Sequence, residues 1–204
     1  MRKFAIVPLV LLLAACKPAA DKPMLGDDTS VPDAPVMPEG KADGPAAATT
    51  AVALDGEGLR FIDKVSGKAS LLAFGVPRAQ AEEALARFAG KLDDRSSNEE
   101  CGAGTMEFTR FDAMTLNFQE GKFVGWFLGN ESGASAYSTP SGISVGTTRA
   151  DASKSATLSY VPDSTLGEEF SIGTGDHVVG GIFAEPGDQA KVDALFAGDN
   201  CFFR

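Results

Sequence analysis

The sequence has few of the residues from which catalytic sites are built. Its 204 residues include one histidine, His177, and one tryptophan. A histidine acting as a general base needs a nucleophile or substrate proton within reach, and no Gly-x-Ser-x-Gly elbow accompanies His177. The glycine pairs in Gly102-Ala103-Gly104 and Gly173-Thr174-Gly175 do not complete a nucleotide-binding fingerprint. We therefore expect a non-catalytic protein without a cofactor.

Positive charge and long apolar runs are also scarce. The chain carries 18 basic and 28 acidic side chains, for a net charge of −10. A surface of this sign is repelled by phosphate backbones, so nucleic acid is not an expected partner. The apolar run from Phe4 to Leu13 is about ten residues long, whereas a helix that spans a bilayer needs about 20. Pro8 lies inside that run, which also disfavours a regular packed helix.

The first sixteen residues have the pattern of an export signal. Arg2 and Lys3 precede the apolar run, and small residues precede Cys16. The stretch Leu13-Ala14-Ala15-Cys16 resembles a bacterial lipobox. In lipoproteins of that class a signal peptidase cuts before the cysteine, which then carries acyl chains such as palmitate. The resemblance implies a signal peptide at 1–15, lipidation of Cys16 and anchoring by two or more acyl chains.

Lys17 follows Cys16 at the position where, in enterobacterial lipoproteins, an aspartate favours retention in the inner membrane. By this resemblance we expect the protein in the outer membrane, facing the periplasm. From Lys17 to about Ala53 the sequence is rich in Pro, Ala, Asp and Gly and has no aromatic residue. Such a composition buries too little apolar surface to fold. We therefore expect residues 16–53 to be a lipidated cysteine followed by a disordered tether.

With Cys16 assigned to lipid, Cys101 and Cys201 remain. The periplasm is oxidising, which favours a disulfide between them. Two cysteines and one histidine without close spacing are too few ligands for a zinc site, so no metal is expected.

The rest of the chain alternates between strand and helix patterns. Gly58 to Ile62 and Ala69 to Phe74 have the composition of short strands. Pro77 and Gly90 bracket a helical pattern, because proline suits a first helical turn and glycine a helix end. From Met114 to Leu128 alternation and then an apolar run indicate two further strands.

A similar pattern occurs again further along the chain. Phe74 to Ala81 aligns with Val145 to Ala152, and both share Gly-x-x-Arg-Ala. In the second copy Thr148 and Asp151 predict a capping-box-like start to a helix. Strand patterns follow at Glu168 to Ile172 and His177 to Phe183, and 187–198 has the pattern of a short helix. The predicted fold class is α+β, with two tandem related units, 54–138 and 139–204, each a helix packed on a small antiparallel sheet. Chance similarity of the two short segments is the alternative.

A helix followed by a strand meander, twice in tandem, resembles the fold shared by beta-lactamase inhibitor proteins and the small lipoprotein of the outer-membrane barrel-assembly machinery. The entry to the second helix, with Gly146, Thr148 and Asp151, is similar to that class. The closing residues from Gly198 to Arg204 resemble the ends of uncharacterised alphaproteobacterial lipoproteins. None of these resemblances identifies a binding residue.

Three residues are candidates for binding a partner. Trp126 can anchor a partner if it is exposed, or pack in the core. Arg78 and Arg149 lie near helix starts, where the helix dipole disfavours positive charge, so each pairs with a carboxylate or contacts a partner.

The function expected from these features is an outer-membrane-anchored lipoprotein that binds other envelope proteins. One alternative is an inhibitor of a periplasmic or exogenous hydrolase, which exposed aromatics clustered on one sheet face would favour. The other is a small periplasmic enzyme. A cleft that gathers His177, Arg149 and two carboxylates would favour it.

Overall fold

The computed structural model describes residues 49–175 and 177–202, and strands predominate in this part of the chain. They form one sheet of four strands and one of eight. The predicted α+β class, with two tandem units that each pack a helix on a small sheet, is therefore wrong. Strands from both sides of residue 138 share continuous hydrogen bonding within one large sheet. The predicted signal peptide, Cys16 and the tether up to residue 48 lie outside the described residues.

The smaller sheet is built mainly from the start of the described chain. Its members are β1 (Thr50–Asp55), β2 (Gly58–Asp63), β3 (Ala69–Ala73) and β8 (Tyr137–Ser138), in the order β3-β2-β1-β8. The predictions for β2 and β3 are confirmed to within a residue at their ends. Strand β1, by contrast, begins inside the segment predicted as tether. Its small residues resemble the tether in composition, and pairing with β2 orders them, with Leu54 opposite Leu59 in the core.

Helix α1 (Arg78–Ala89) follows β3 and has the predicted ends. Pro77 is its N-cap and Gly90 its C-cap, and Gly90 adopts a φ of 87° that favours glycine. Ala81 and Leu85 lie on one side of the helix and are fully buried. The helix therefore packs one apolar face against the sheets, as its spacing predicts.

The larger sheet has the order β4-β5-β6-β7-β12-β11-β10-β9. Its strands are β4 (Asp94–Asn98), β5 (Met106–Phe111), β6 (Met114–Gln119), β7 (Lys122–Leu128), β9 (Ser159–Tyr160), β10 (Glu168–Ile172), β11 (Val179–Phe183) and β12 (Val192–Gly198). The helix predicted within 187–198 is wrong, because β12 occupies most of that range. Strand β12 is buried on both faces, so its apolar run is easily mistaken for a buried helix.

Helix α2 (Arg149–Ser155) precedes β9. The predicted cap is present: the Asp151 backbone N–H donates to Thr148 Oγ1 at 3.2 Å, and that hydroxyl donates to the Asp151 carboxylate at 2.8 Å. Among the described residues, neither helix is long and apolar enough to cross a membrane.

The approaches to the two helices are bonded to the large sheet in the same way. The Gly75 N–H donates to the Phe123 carbonyl at 2.7 Å, and the Gly146 N–H donates to the Val192 carbonyl at 2.8 Å. Strands β7 and β12, which accept these bonds, pair with each other at the middle of the sheet. The two segments that align in sequence thus contact the large sheet at equivalent places, on its two central strands.

The core lies between the large sheet and the elements on its helix-bearing face. Leu116, Phe118 and Trp126 point to this face and are fully buried. The indole Nε1 of Trp126 donates to the Asp55 carbonyl at 3.0 Å, which joins the large sheet to the β1–β2 hairpin. One apolar cluster therefore extends through both sheets and both helices.

Candidate functional site

The second face of the large sheet is less completely buried than the first, although Asn117 and Phe196 on it are buried. We call it the outer face and define it by Phe108, Thr115, Asn117, Phe127 and Phe196, which lie side by side on β5, β6, β7 and β12. Strand alternation puts these residues opposite the core side chains. Phe108, Thr115 and Phe127 are half-buried rather than buried. An apolar sheet face that keeps this accessibility is a candidate interaction surface.

The segment after β12 crosses part of the outer face. The Asn117 side-chain amide donates to the Asp199 carbonyl at 2.9 Å and to Asn200 Oδ1 at 2.8 Å. The ring of Phe202 packs edge-on to Phe196, with centroids 4.7 Å apart. These contacts position the segment beside Phe108 and Thr115 without covering them.

A disulfide holds this segment in place. The Sγ atoms of Cys101 and Cys201 are 2.08 Å apart, so the structure forms the pair predicted from the sequence. Cys101 lies in the β4–β5 loop and is buried. The Asn98 amide at the end of β4 contacts the Cys201 sulfur at 3.7 Å. The bridge therefore ties the segment after β12 to the edge of the outer face.

Between the segment and the sheet lies a cavity of about 370 Å³. Its wall combines aromatic rings, carboxamides, a hydroxyl and a half-cystine: Phe108, Phe127, Phe202, Asn98, Asn117, Asn200, Thr115 and Cys201. A volume of this size with apolar walls and a few polar groups is typical of ligand and anchor-residue pockets. The cavity can accept an apolar side chain. The carboxamides of Asn98, Asn117 and Asn200 in its wall bond to groups of the chain itself.

Trp126 does not belong to this surface. Its side chain is fully buried on the helix-bearing face, and its N–H is used within the core. It therefore offers no exposed anchor, and core packing is the role that the structure shows.

Arg78 is held by carboxylates at the start of α1. Its Nε donates to Glu82 at 2.8 Å and its Nη1 to Glu107 at 2.9 Å. Burial raises the pKa of the Glu82 carboxyl, but hydrogen bonds from Arg95, Thr109 and Arg78 outweigh it and lower the pKa to about 2. This network fixes α1 on β4 and β5 and leaves Arg78 a structural role.

Arg149 also pairs with a carboxylate, at the start of α2. Its Nη2 donates to Glu168 at 2.8 Å and to the Glu185 carbonyl at 3.2 Å. Its guanidinium carbon lies 4.4 Å from the Phe183 ring centre and 5.4 Å from that of Tyr160. Only 14% of the side chain is exposed.

His177 lies elsewhere. Its Nδ1 is 3.4 Å from a Glu57 carboxylate oxygen, and 63% of its side chain is exposed. Arg149 contacts a different carboxylate, Glu168. The structure thus does not gather His177, Arg149 and two carboxylates into the cleft that would favour an enzyme.

Sequence reasoning missed most of the outer face. The alternating pattern predicts only that Thr115 and Asn117 lie on the polar side of a strand, and Phe127 belongs to an apolar run. The signal that could have identified the surface is the combination of Phe108 and Phe127 with a terminal Cys201-Phe202, because a disulfide to Cys101 brings that phenylalanine back to β5.

Comparison of the chain with protein-family models, with curated proteins and with solved structures finds no match.

Proposed function

We propose that this chain is a non-catalytic protein-binding module, anchored by lipid at Cys16 to the outer membrane and facing the periplasm, that binds envelope proteins through its outer face. The observation that carries the binding part is the aromatic-lined cavity of about 370 Å³ on that face. The anchor and the location depend on the lipobox-like stretch before Cys16.

The outer face has the composition of an interface centre. Interface centres are enriched in aromatic residues and depleted of charge. Phe108, Phe127 and Phe202 surround the cavity, and no charged side chain is among its described lining residues. A partner residue with an aromatic or branched aliphatic side chain fits this environment and would be the anchor of the complex.

Charged side chains at the edge of the outer face can orient a bound partner. Arg110, next to Phe108 on β5, is 51% exposed and lies 3.8 Å from Glu131. Such an exposed pair contributes little to stability, so its charges can be redirected to a partner at low cost. Charged groups at the edge and rings at the centre are the arrangement that gives specificity around an apolar anchor.

Photocrosslinking in cells tests the binding surface. A photoreactive residue at Thr115, beside the cavity, is expected to capture an envelope protein. The matched control is the same residue at Val65, which is 85% exposed in the loop between β2 and β3, away from the outer face. Products that appear equally from both positions, or that contain only this chain, would refute binding through the outer face.

Mass spectrometry of the mature N-terminus tests the anchor separately. We expect an N-terminal Cys16 that carries acyl chains, and a Cys16→Ala variant that remains unprocessed and carries no acyl chain. A mature chain that starts elsewhere, or an unmodified Cys16, would refute anchoring without bearing on the outer face.

Inhibition of a periplasmic or exogenous hydrolase is the second candidate function. The feature that favours it is a cluster of half-buried rings, Phe108 and Phe127 on the outer face and Phe202 on the segment that crosses it. If the protein captured from Thr115 is a hydrolase, adding the purified chain should lower its activity in proportion to the complex formed. Capture of a hydrolase whose activity is unchanged would exclude inhibition and keep binding.

A further inference from the structure

Arg78 and Arg149 are equivalent residues of the two halves of the large sheet. Each is the first residue of its helix. The backbone N–H of Arg78 donates to the Gly121 carbonyl, and that of Arg149 donates to the Ala190 carbonyl. The guanidinium of Arg78 lies 4.9 Å from the Phe118 ring centre, as that of Arg149 lies 4.4 Å from Phe183. One neighbouring-strand glutamate pairs with each arginine.

The two arginines differ at Nε. The Nε of Arg78 donates to Glu82. The Nε of Arg149 is buried and has no hydrogen-bond partner within the described residues. A buried donor without an acceptor is costly, so its presence calls for an explanation.

The sequence explains the difference. Glu82 stands four residues after Arg78, whereas the fourth residue after Arg149 is Ser153. Arg95, which holds Glu82 from β4 at 2.7 Å, is replaced in the equivalent register on β9 by Tyr160. The second half therefore lacks both the carboxylate and the cation that positions it.

A cleft of about 490 Å³ lies next to these positions; Arg149 is not among its described lining residues but contacts Tyr160, which is. Ser153, Lys154 and Tyr160 are among the residues that line it. Tyr160 is 49% exposed and lies on a two-residue edge strand, so its ring can turn aside from the guanidinium. Lys154 pairs with Asp151 in an exposed position and adds a second cation beside the cleft.

We propose that Arg149 binds a carboxylate supplied by a ligand, which occupies the place that Glu82 holds beside Arg78. Arginine suits this role because its charged Nε–H forms a strong hydrogen bond to a carboxylate oxygen, as that of Arg78 does to Glu82. The carboxylate comes from a free organic acid or from an acidic side chain of a protein, since both present the same group. Arg149 lies on the helix-bearing side of the sheet, so this site is independent of the outer face.

The arginine Nε–H resonances of the purified full chain provide the test. Titration with succinate, and separately with a short glutamate-containing peptide, is compared with sodium chloride at equal ionic strength. The Arg149 resonance should shift saturably with at least one carboxylate and not with chloride, while that of Arg78 should not move. A response to succinate identifies a free acid as sufficient, and a response to the peptide alone identifies a protein side chain. Failure of both overturns the proposal.

Two variants make the test specific. Ser153→Glu places a carboxylate four residues after Arg149, as in the first half, and should weaken the response to carboxylate by at least about tenfold. Glu82→Ser should make the Arg78 resonance respond to the same titrant. A Ser153→Glu chain that folds and still responds like the unaltered chain would overturn the proposal, and so would a Glu82→Ser chain that folds but gains no response.

Discussion

Phe127 and Phe196 lie opposite each other on the two central strands of the large sheet, and Phe202 packs edge-on against both rings, at 6.3 Å and 4.7 Å. The terminal segment thus rests on the line where the halves of the sheet meet. Because Cys201 precedes Phe202, the disulfide to Cys101 fixes this ring over the sheet. One wall of the cavity depends on that bridge.

Removing the disulfide should weaken both the fold and the cavity. The bridge spans 100 residues. Replacing Cys101 and Cys201 together with alanine is expected to lower the free energy of unfolding by about 2–5 kcal/mol. Chemical denaturation followed by circular dichroism measures the loss, and faster amide exchange at Phe202 reports release of the segment.

Thiol labelling of the unreduced protein is the accompanying check. Neither Cys101 nor Cys201 should react until a reductant is added. Two reactive thiols in the native protein, or unchanged stability of the double variant, would contradict the role assigned to the bridge.

Acid should destabilise the protein through Glu82. The pKa of its carboxyl is about 2 in the folded chain, against about 4.3 for an unfolded glutamate. A lowered folded pKa adds stability that is complete above the unfolded value and is lost as pH falls through the folded value. The free energy of unfolding should therefore decline between about pH 4.5 and pH 2.

Glu82→Gln isolates that contribution from those of other carboxylates. It should cost about 1–3 kcal/mol at neutral pH and flatten the decline in acid. Glu83→Gln is the matched control, because Glu83 is 67% exposed and pairs only on the helix surface with Arg87; its cost should stay below about 0.5 kcal/mol. Equal effects of the two substitutions would show that the network does not fix α1.

Trp126 should matter for stability. Trp126→Phe removes the N–H bond to the Asp55 carbonyl and part of a fully buried ring. We expect a loss of about 1–3 kcal/mol in the free energy of unfolding. Val65→Ala at an exposed position should change little. If Trp126→Phe leaves the free energy of unfolding unchanged, the bond from Trp126 to Asp55 does not help to hold the two sheets together.

Local signals in the sequence were sufficient for several elements. Pro77 and Gly90 predicted the ends of α1, since both act through the backbone conformation of one residue. Thr148 and Asp151 predicted the cap of α2 for the same reason. These features depend on neighbours a few positions apart, which a sequence shows directly.

Features that depend on distant pairing were not predictable from one sequence. The run Val192 to Gly198 is apolar because it is a central strand beside β7, yet the same spacing suits a helix. The fold class was wrong for this reason: strand patterns show which residues extend but not which strands meet. The outer face was missed because its rings come together only through that pairing and the disulfide.

Substitution of Thr115 tests binding through the outer face most directly. Thr115→Glu puts a charge beside the rings of the cavity, and Arg110 lies directly opposite on β5 to pair with it, so the fold should be retained. Val65→Glu adds the same charge at an exposed loop position.

Photocrosslinking at Thr115 first identifies the partner. The measurement is then the amount of that partner recovered with each variant by chemical crosslinking in cells. Recovery should fall at least about tenfold for Thr115→Glu and stay unchanged for Val65→Glu. Equal recovery from the unaltered chain and a folded Thr115→Glu variant would contradict binding through the outer face.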